Sequence, residues 1–374
     1  MKILHCSDWH LGAYVGPQQD DPYKKTENTR KCIDVIVKAA REEQPDIILI
    51  TGDIFHQSRT WSDRGMIEAQ IAIDYIETLG SYAPVAVLYG TPNHDNLEAF
   101  KMLEQAFGKD SEDVHFFYGP ELRTIITPKG PIQIGSLPGF DKGHFRATHP
   151  GLSAEEENKL FSELLTQILE GYSAQLNPFE PAVLMAHHTV VGCEMDNGYN
   201  VFQANEVTLS SEVLNRCGFD LVCLGHIHNA QRVAICDKPV FYAGSIDAYT
   251  FNDEDGRKGF YIHDIVDTGT TWEYKNSQFI QTPAREFSTC KWSGETFDYY
   301  SEHGISAFAN LDIIKDKVVR VLYTCDSNAE KALDKKKLER DIYAAGAYYV
   351  TEIRPEKIEA SVNRELMHEK MSVE

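Results

Sequence analysis

The sequence predicts an α/β layered protein followed by a small α+β domain. Three observations carry this. Short apolar runs recur through roughly the first 240 residues, helical stretches of 3.6-residue period separate the early ones, and each run closes in a polar cluster. Strands alternating with helices bury their apolar faces best as layers. In open α/β sheets ligands gather beyond the carboxyl ends of the strands, which is where these polar clusters fall.

The strand signals, in order, are Lys2–Cys6, Asp46–Ile50, Pro84–Tyr89, Ala182–Ala186, Leu221–Leu224 and Val240–Ala243. Helical periodicity runs over Thr26–Glu43 and Ser62–Leu79, then over Leu97–Phe107 and Ser153–Gln175. Residues 108–178 are the least distinctive part, and Asn252–Lys258 (NDEDGRK) reads as an exposed turn between two strands. The character changes near Gln281–Pro283. A first domain over 1–281 and a second over 282–358 are expected, with a charged tail over 359–374. Within the second, a strand-like stretch precedes a helix over Asn328–Ala345 and a strand over Tyr348–Ile353.

Composition bounds the function. The 374 residues carry 36 Lys and Arg against 57 Asp and Glu, a net charge of −21. Residues 282–374 hold 14 basic and 17 acidic side chains, so −18 of that charge sits on the first domain. Such a surface excludes a protein that coats nucleic acid non-specifically, because phosphate contacts need clustered Lys and Arg. No apolar run approaches the roughly 20 residues of a membrane span, and the N-terminus has no signal-peptide apolar region. The eight cysteines are scattered without a CxxC pair. They read as reduced thiols of a cytoplasmic protein, which excludes zinc-ribbon and disulfide-scaffold folds.

The chemistry lies at the strand ends. They present Ser7-Asp8-Trp9-His10, Gly52-Asp53-Ile54-Phe55-His56, Asn93-His94-Asp95, His187-His188 and Gly225-His226-Ile227-His228 in turn. Carboxylate, amide and imidazole without thiolate suit Mn, Fe or Zn rather than a calcium cage or a soft-metal centre. In an extended or turning segment, residues two apart point the same way, so Asp8 and His10 can grip one ion; GHxH repeats that geometry. Any single cluster is weak evidence, since an isolated histidine is more often an ordinary surface or core residue. Five in this order, each closing a strand, are not expected by chance.

DWH, GDIFH, NHD, the lone-His strand and GHIH in this order resemble the calcineurin-like metallophosphoesterases. The finer resemblance is to the nuclease subunit of SbcD type, carried by ILHCSDWHLG, by the extra His56 in GDIFH and by YAGSIDAYTF…KGFYIHDI. VVRVLYTCDSN…YAAGAYYVTEIRPEKIE resembles the small capping domain of that family. The resemblance implies a metallophosphoesterase β-sandwich flanked by helices, capped by the α+β domain. It implies that Asp8, His10, Asp53 and His228 hold one metal, and that Asp53 bridges to a second held by Asn93, His187 and His226. His187 is chosen over His188 because it lies five residues before Gly192, as the family's ligand does. His94 would stand beside the two divalent ions, Mn2+ in this family, without ligating them, assisted by His56.

The implied activity is phosphodiester hydrolysis on DNA, as 3′→5′ exonuclease and single-strand or hairpin endonuclease, alongside an SbcC-type SMC-like ATPase. Alternatives are a small-molecule phosphodiesterase or phosphatase on the same fold, or a scaffold without catalysis. The tail would begin a linker to an ATPase-binding segment. Arg59 and Arg64, with Trp61, are candidate DNA contacts, followed by Lys142 and Arg146; solvated helix-start positions explain the arginines equally well. The apolar stripes of Ser62–Leu79 and Leu97–Phe107 are those of a homodimer seam or of plain core. One departure stands out: the third cluster reads Gly90-Thr91-Pro92-Asn93-His94-Asp95, with Pro92 where the family has glycine. Proline cannot take a positive φ, so the loop must reach Asn93 and His94 by another path.

Overall fold

Four-residue strands that are buried throughout, Ile47–Ile50 and Val85–Leu88, must be covered on both faces. The computed structural model shows what covers them. It describes residues 1–57, 66–108, 111–140, 145, 150–195, 207–308, 310–324 and 333–356. The strands are β1 (Lys2–Cys6), β2 (Ile47–Ile50), β3 (Val85–Leu88), β4 (Val114–Phe117), β5 (Glu121–Thr127) and β6 (Gly130–Leu137). Then come β7 (Ala182–Ala186), β8 (Thr189–Val190), β9 (Thr208–Leu209), β10 (Leu221–Leu224), β11 (Gln231–Arg232) and β12 (Val240–Tyr242). The hairpin β13 (Gly259–Asp267) and β14 (Trp272–Gln281) precedes β15 (Phe287–Ser293), β16 (Val318–Thr324) and β17 (Tyr349–Pro355).

Two six-stranded sheets result, in the orders β14-β13-β1-β2-β3-β4 and β11-β12-β10-β7-β6-β5. β1 to β4 are parallel, as are β6, β7, β10 and β12. Side chains alternate across each strand. Ile3, Ile47, Leu49, Ala86 and Leu88 therefore meet Ile134, Val183, Met185 and Leu221 between the sheets. The alternate set, Leu4, Cys6, Ile48, Ile50, Val85 and Val87, packs outward on Ile33, Ile36, Ile71 and Ile76 of the helices Glu27–Glu43 and Met66–Gly80. Outside the second sheet, Leu184, Val222 and Leu224 are covered by Phe161, Leu165 and Leu169 of the helix Ala154–Gln175. The layered β-sandwich with flanking helices is thus present.

Local signals set the helix starts. Ser153 caps the helix Ala154–Gln175 in a capping box, its Oγ accepting from Glu156 N at 3.3 Å while Glu156 Oε2 accepts from Ser153 N at 2.8 Å. The helix over Leu97–Phe107 coincides with its periodicity and is capped by Asn96. Its stripe and that of Met66–Gly80 bury Phe100, Leu103, Ile71, Ile76 and Leu79 in the core. Residues 62–65, the start of the helical stretch expected from Ser62, lie outside the described residues. β5 shows little apolar alternation because it is an edge strand burying only Ile125 and Thr127, and the sequence did not reveal it.

Two compact units divide the chain, Met1–Arg285 and the part from Glu286 onward. In the second, β15, β16 and β17 form a parallel sheet. The helices Gly294–His303 and Lys335–Ala344 make its crossovers and bury Phe297, Tyr300, Leu338 and Ile342 over Val319 and Val321. The first of these helices lies in the stretch read from sequence as strand-like.

Candidate dinuclear metal centre

The loops after β1 and β2 continue the pairing of the strands that lead into them. Asp8 N donates to Gly52 O and His10 N to Asp53 O, both at 3.0 Å, and His56 N donates to Leu11 O at 2.9 Å. The two predicted metal loops are therefore one folded unit. Left-handed backbone occurs at four of the candidate ligands: φ is 51° at Asp8, 44° at His10, 51° at Asp53 and 90° at His226. Only Gln44 and Asp316 join them among the described non-glycine residues. Such conformations cost about 1–3 kcal/mol each and persist where the surroundings impose them, typically at functional sites. Close approach of the loops needs glycine: a Cβ on Gly225 would overlap Ser7 Oγ and Thr51 O.

The strand ends of both sheets converge here. His187, after β7, donates from Nδ1 to Thr51 O, after β2, at 2.7 Å; its Nε2 lies 3.2 Å from Asp53 Oδ2. His226 N donates to both Asp8 oxygens at 3.2 and 3.1 Å. The rings of His187 and His226 are 5.4 Å apart. Asp8, His10 and His228 form one group of mutually close donor atoms, Asp8, Asp53 and His187 a second, and His10, His56 and His94 a third. Every histidine and aspartate assigned to the metals or to catalysis from the sequence is thus gathered at one place. His188 differs: its Nε2 donates to Pro138 O at 2.9 Å, away from this cluster.

The electrostatics reflect crowding. Burial pushes Asp8 above the usual carboxylate range, and burial with the neighbouring His228 drives His10 well down. Burial works against the charged forms of Asp53 and His187, yet their pairing prevails: Asp53 is held far below its ordinary value and His187 is pushed up to about 10. Asp95 is raised to about 7 by burial and by Asp53. Its oxygens accept from Phe55 N at 3.1 Å and Gly90 N at 3.0 Å, tying the third loop to the second.

These residues fit divalent cations. The Thr51 carbonyl can only accept, so His187 carries a hydrogen on Nδ1, and its Nε2, facing Asp53 Oδ2 at 3.2 Å, would present a lone pair to a cation that displaces its proton. His228 Nδ1 likewise faces Asp253 Oδ1 at 3.2 Å, which turns its Nε2 lone pair towards the cluster. His10 Nε2 and His228 Nε2 are 3.0 Å apart. In a further group in the inter-sheet core, His5, Cys223 and His263, the two imidazoles have hydrogen-bond partners without an ion. His5 bonds His263 at 3.3 Å and Thr51 Oγ1 at 3.1 Å, and His263 bonds Ser277 Oγ at 2.6 Å.

The third cluster departs from expectation. Asn93 is exposed. Thr91 takes the place against Asp53, donating from N at 2.6 Å and from Oγ1 at 3.1 Å to Oδ1. The Thr91-Pro92 sequence explains this, since a turn in which His94 N and Asp95 N both donate to Thr91 O carries the chain past the carboxylate before Asn93 is reached. The segment Asn252–Lys258 also differs. It is a turn, but Asp253 and Lys258 are 3% and 5% exposed and lie behind His228. Only polar composition was visible there, so no sequence signal marked them. Arg59, Trp61, Arg64, Lys142 and Arg146 lie outside the described residues.

Paired sheets, converging loops and a mixed carboxylate–imidazole centre define a metallophosphoesterase. Residues 1–230 match the sequence pattern of the calcineurin-like phosphoesterases, and the chain belongs to that family. It is 24% identical over 271 residues to the SbcD component of the SbcCD nuclease of Staphylococcus epidermidis, covering 71% of this chain and 66% of that one. The match therefore spans just under two thirds of that relative's length. Among solved structures, the calcineurin-like phosphoesterase YfkN of Bacillus subtilis matches 75% of this chain and 90% of its own, at 13% identity and a TM-score of 0.40. A dimetal phosphatase of Danio rerio matches 75% and 98%, at 12% identity and a TM-score of 0.41. No helix among the described residues is long and apolar enough to cross a membrane.

Proposed function

We propose that this phosphoesterase is a DNA nuclease that cleaves phosphodiesters at ends and in single-stranded or hairpin segments, with two Mn2+ ions as cofactors. The observation that carries the reading is the convergence of Asp8, His10, Asp53, His187, His226 and His228 at the joined ends of the two sheets, with His94 beside them. Asp8, His10, Asp53 and His228 would hold one ion; His187 and His226, with Asp53 between, would hold the other. Asn93 remains a candidate for the second ion by resemblance, while its exposure favours a lesser contribution. The paired cations would supply Lewis-acid activation of the phosphate and of water near neutral pH.

The chain's own residues supply the rest. His94 gives Nδ1–H to His56 O at 2.7 Å, which orients the ring and leaves Nε2 to exchange a proton with the leaving oxygen. The rings of His94 and His56 are 5.7 Å apart, close enough for His56 to influence that proton. Burial and the neighbouring His94 lower His56, favouring its neutral form. Neutral imidazoles keep the centre cationic overall, as a phosphate substrate requires.

An SbcC-type ATPase is proposed as partner from the resemblance, and the acidity of the nuclease unit leaves it room to supply the grip on DNA. A charge of −18 gives little phosphate affinity away from the metals. The test uses end-labelled duplex and hairpin DNA with Mn2+, beside cyclic nucleotides and a small phosphomonoester. Cleavage of DNA that is lost in Asp53→Asn supports the nuclease; turnover of the small esters alone would move the assignment to a small-molecule phosphoesterase.

A further inference from the structure

The turn behind His228 is built as a buried support for that imidazole. Asp253 Oδ1 lies 3.2 Å from His228 Nδ1 and accepts from Lys258 Nζ at 2.6 Å. Lys258 Nζ also donates to the backbone oxygen of His228 at 2.9 Å, so one ammonium holds both the carboxylate and the main chain of the residue it serves. The other oxygen, Oδ2, accepts from Tyr249 N at 3.0 Å, Thr250 N at 2.8 Å and Thr250 Oγ1 at 3.1 Å. Five donors thus fix a carboxylate whose side chain is 1% exposed, with a lysine 5% exposed. On an exposed turn such a pair would have no reason to be desolvated.

Tyr249 completes the arrangement. Its hydroxyl donates to Trp9 O at 2.5 Å, and its ring meets those of His10 and His228 edge-on, with centroids 5.1 and 6.0 Å away. One short segment, Tyr249 to Lys258, therefore packs against two of the imidazoles at once. A histidine that ligates through one ring nitrogen commonly donates its other N–H to a carboxylate, which sets tautomer and orientation.

We infer that Asp253, backed by Lys258, is the positioning residue of His228, holding its hydrogen on Nδ1 so that Nε2 is presented to one of the two cations. The inference rests on His228 being a metal ligand. Asp253 touches neither ion nor substrate; it acts through the imidazole alone. An asparagine in its place keeps the volume but turns an NH2 towards either Lys258 and His228 or the two backbone donors, so the five-donor arrangement cannot be kept.

The test is Mn2+ titration of the full chain followed by electron paramagnetic resonance, with metal content by elemental analysis and melting of the metal-free protein in parallel. Asp253→Asn is expected to weaken one of the two ions by about 10- to 100-fold and leave the other unchanged. Asn252→Ala, in the same turn but exposed and making none of the five contacts to Asp253, is expected to leave both unchanged. Equal weakening of both ions by Asp253→Asn, or the same loss in Asn252→Ala, would overturn the inference, because general loosening would then be the cause. His228→Ala separates the underlying assumption. Loss of one ion in His228→Ala with none in Asp253→Asn sinks the positioning role alone; two ions retained in both variants sinks the ligand assignment itself. A histidine-labelled nitrogen spectrum of the metal-free protein gives an independent reading: His228 as the Nδ1–H form in wild type, with a shift in Asp253→Asn.

Discussion

His94 Nδ1 lies 2.7 Å from the carbonyl oxygen of His56, so the last residue of the second metal loop orients the histidine of the third. The contact runs through backbone, which means that it survives replacement of the His56 ring but not of His94.

His94→Ala is therefore expected to retain both metals and lose about 10²- to 10⁴-fold in turnover, the usual worth of a positioned acid. His56→Ala should lose less, because the carbonyl remains. Metal content measured beside DNA cleavage checks both; loss of metal from His94→Ala would show that this histidine is a ligand.

The imidazole and amide candidates for the second ion should differ. His187 is fully buried between Thr51 and Asp53, whereas Asn93 is exposed. His187→Ala is expected to lose the second ion at micromolar Mn2+, and Asn93→Ala to retain most of it. Titration of the two variants side by side decides; equal loss would return Asn93 to the ligand set on equal terms.

Asp220 offers a pH test away from the site. Burial raises it to about 6 from its ordinary 3.8, although it accepts from Ala182 N at 2.8 Å. A raised carboxyl means that the folded state binds the proton more tightly than the unfolded one. Its contribution is favourable below about 3.8, declines as pH rises towards 6, and is constant above. Asp220→Asn should then stabilise the protein more at pH 8 than at pH 5, by about 1 kcal/mol after allowance for its partial exposure. Thermal melts at the two values check this, and an equal shift at both contradicts it.

The acidity predicts weak DNA binding by the isolated chain, with an apparent Kd above about 1 μM at physiological salt and a shallow salt slope, since few phosphates can be neutralised by side chains. Fluorescence anisotropy across a salt series measures it. Tight binding would mean that a basic surface exists which the net charge conceals.

Much of this was legible in the chain order. Strand positions followed from short apolar runs, because strands covered on both faces must be apolar throughout, and the helices followed from their stripes and caps. β5 escaped notice for the opposite reason, as an edge strand has little to bury. The five polar clusters, their order and their residue types were likewise readable, because metal chemistry restricts which side chains can serve.

By itself the sequence determined the layered fold and the stock of candidate ligands. Tertiary structure alone decided their use. It set Asp8, His10, Asp53 and His226 in left-handed backbone, sent His188 to Pro138 instead of the cluster, and put Thr91 where Asn93 was expected. It also buried Asp253 and Lys258 behind His228. The physical reason is common to all four. Residue type limits what a side chain can bind, but which partner it meets depends on loops from separate strands closing on one another, and that contact is absent from local sequence.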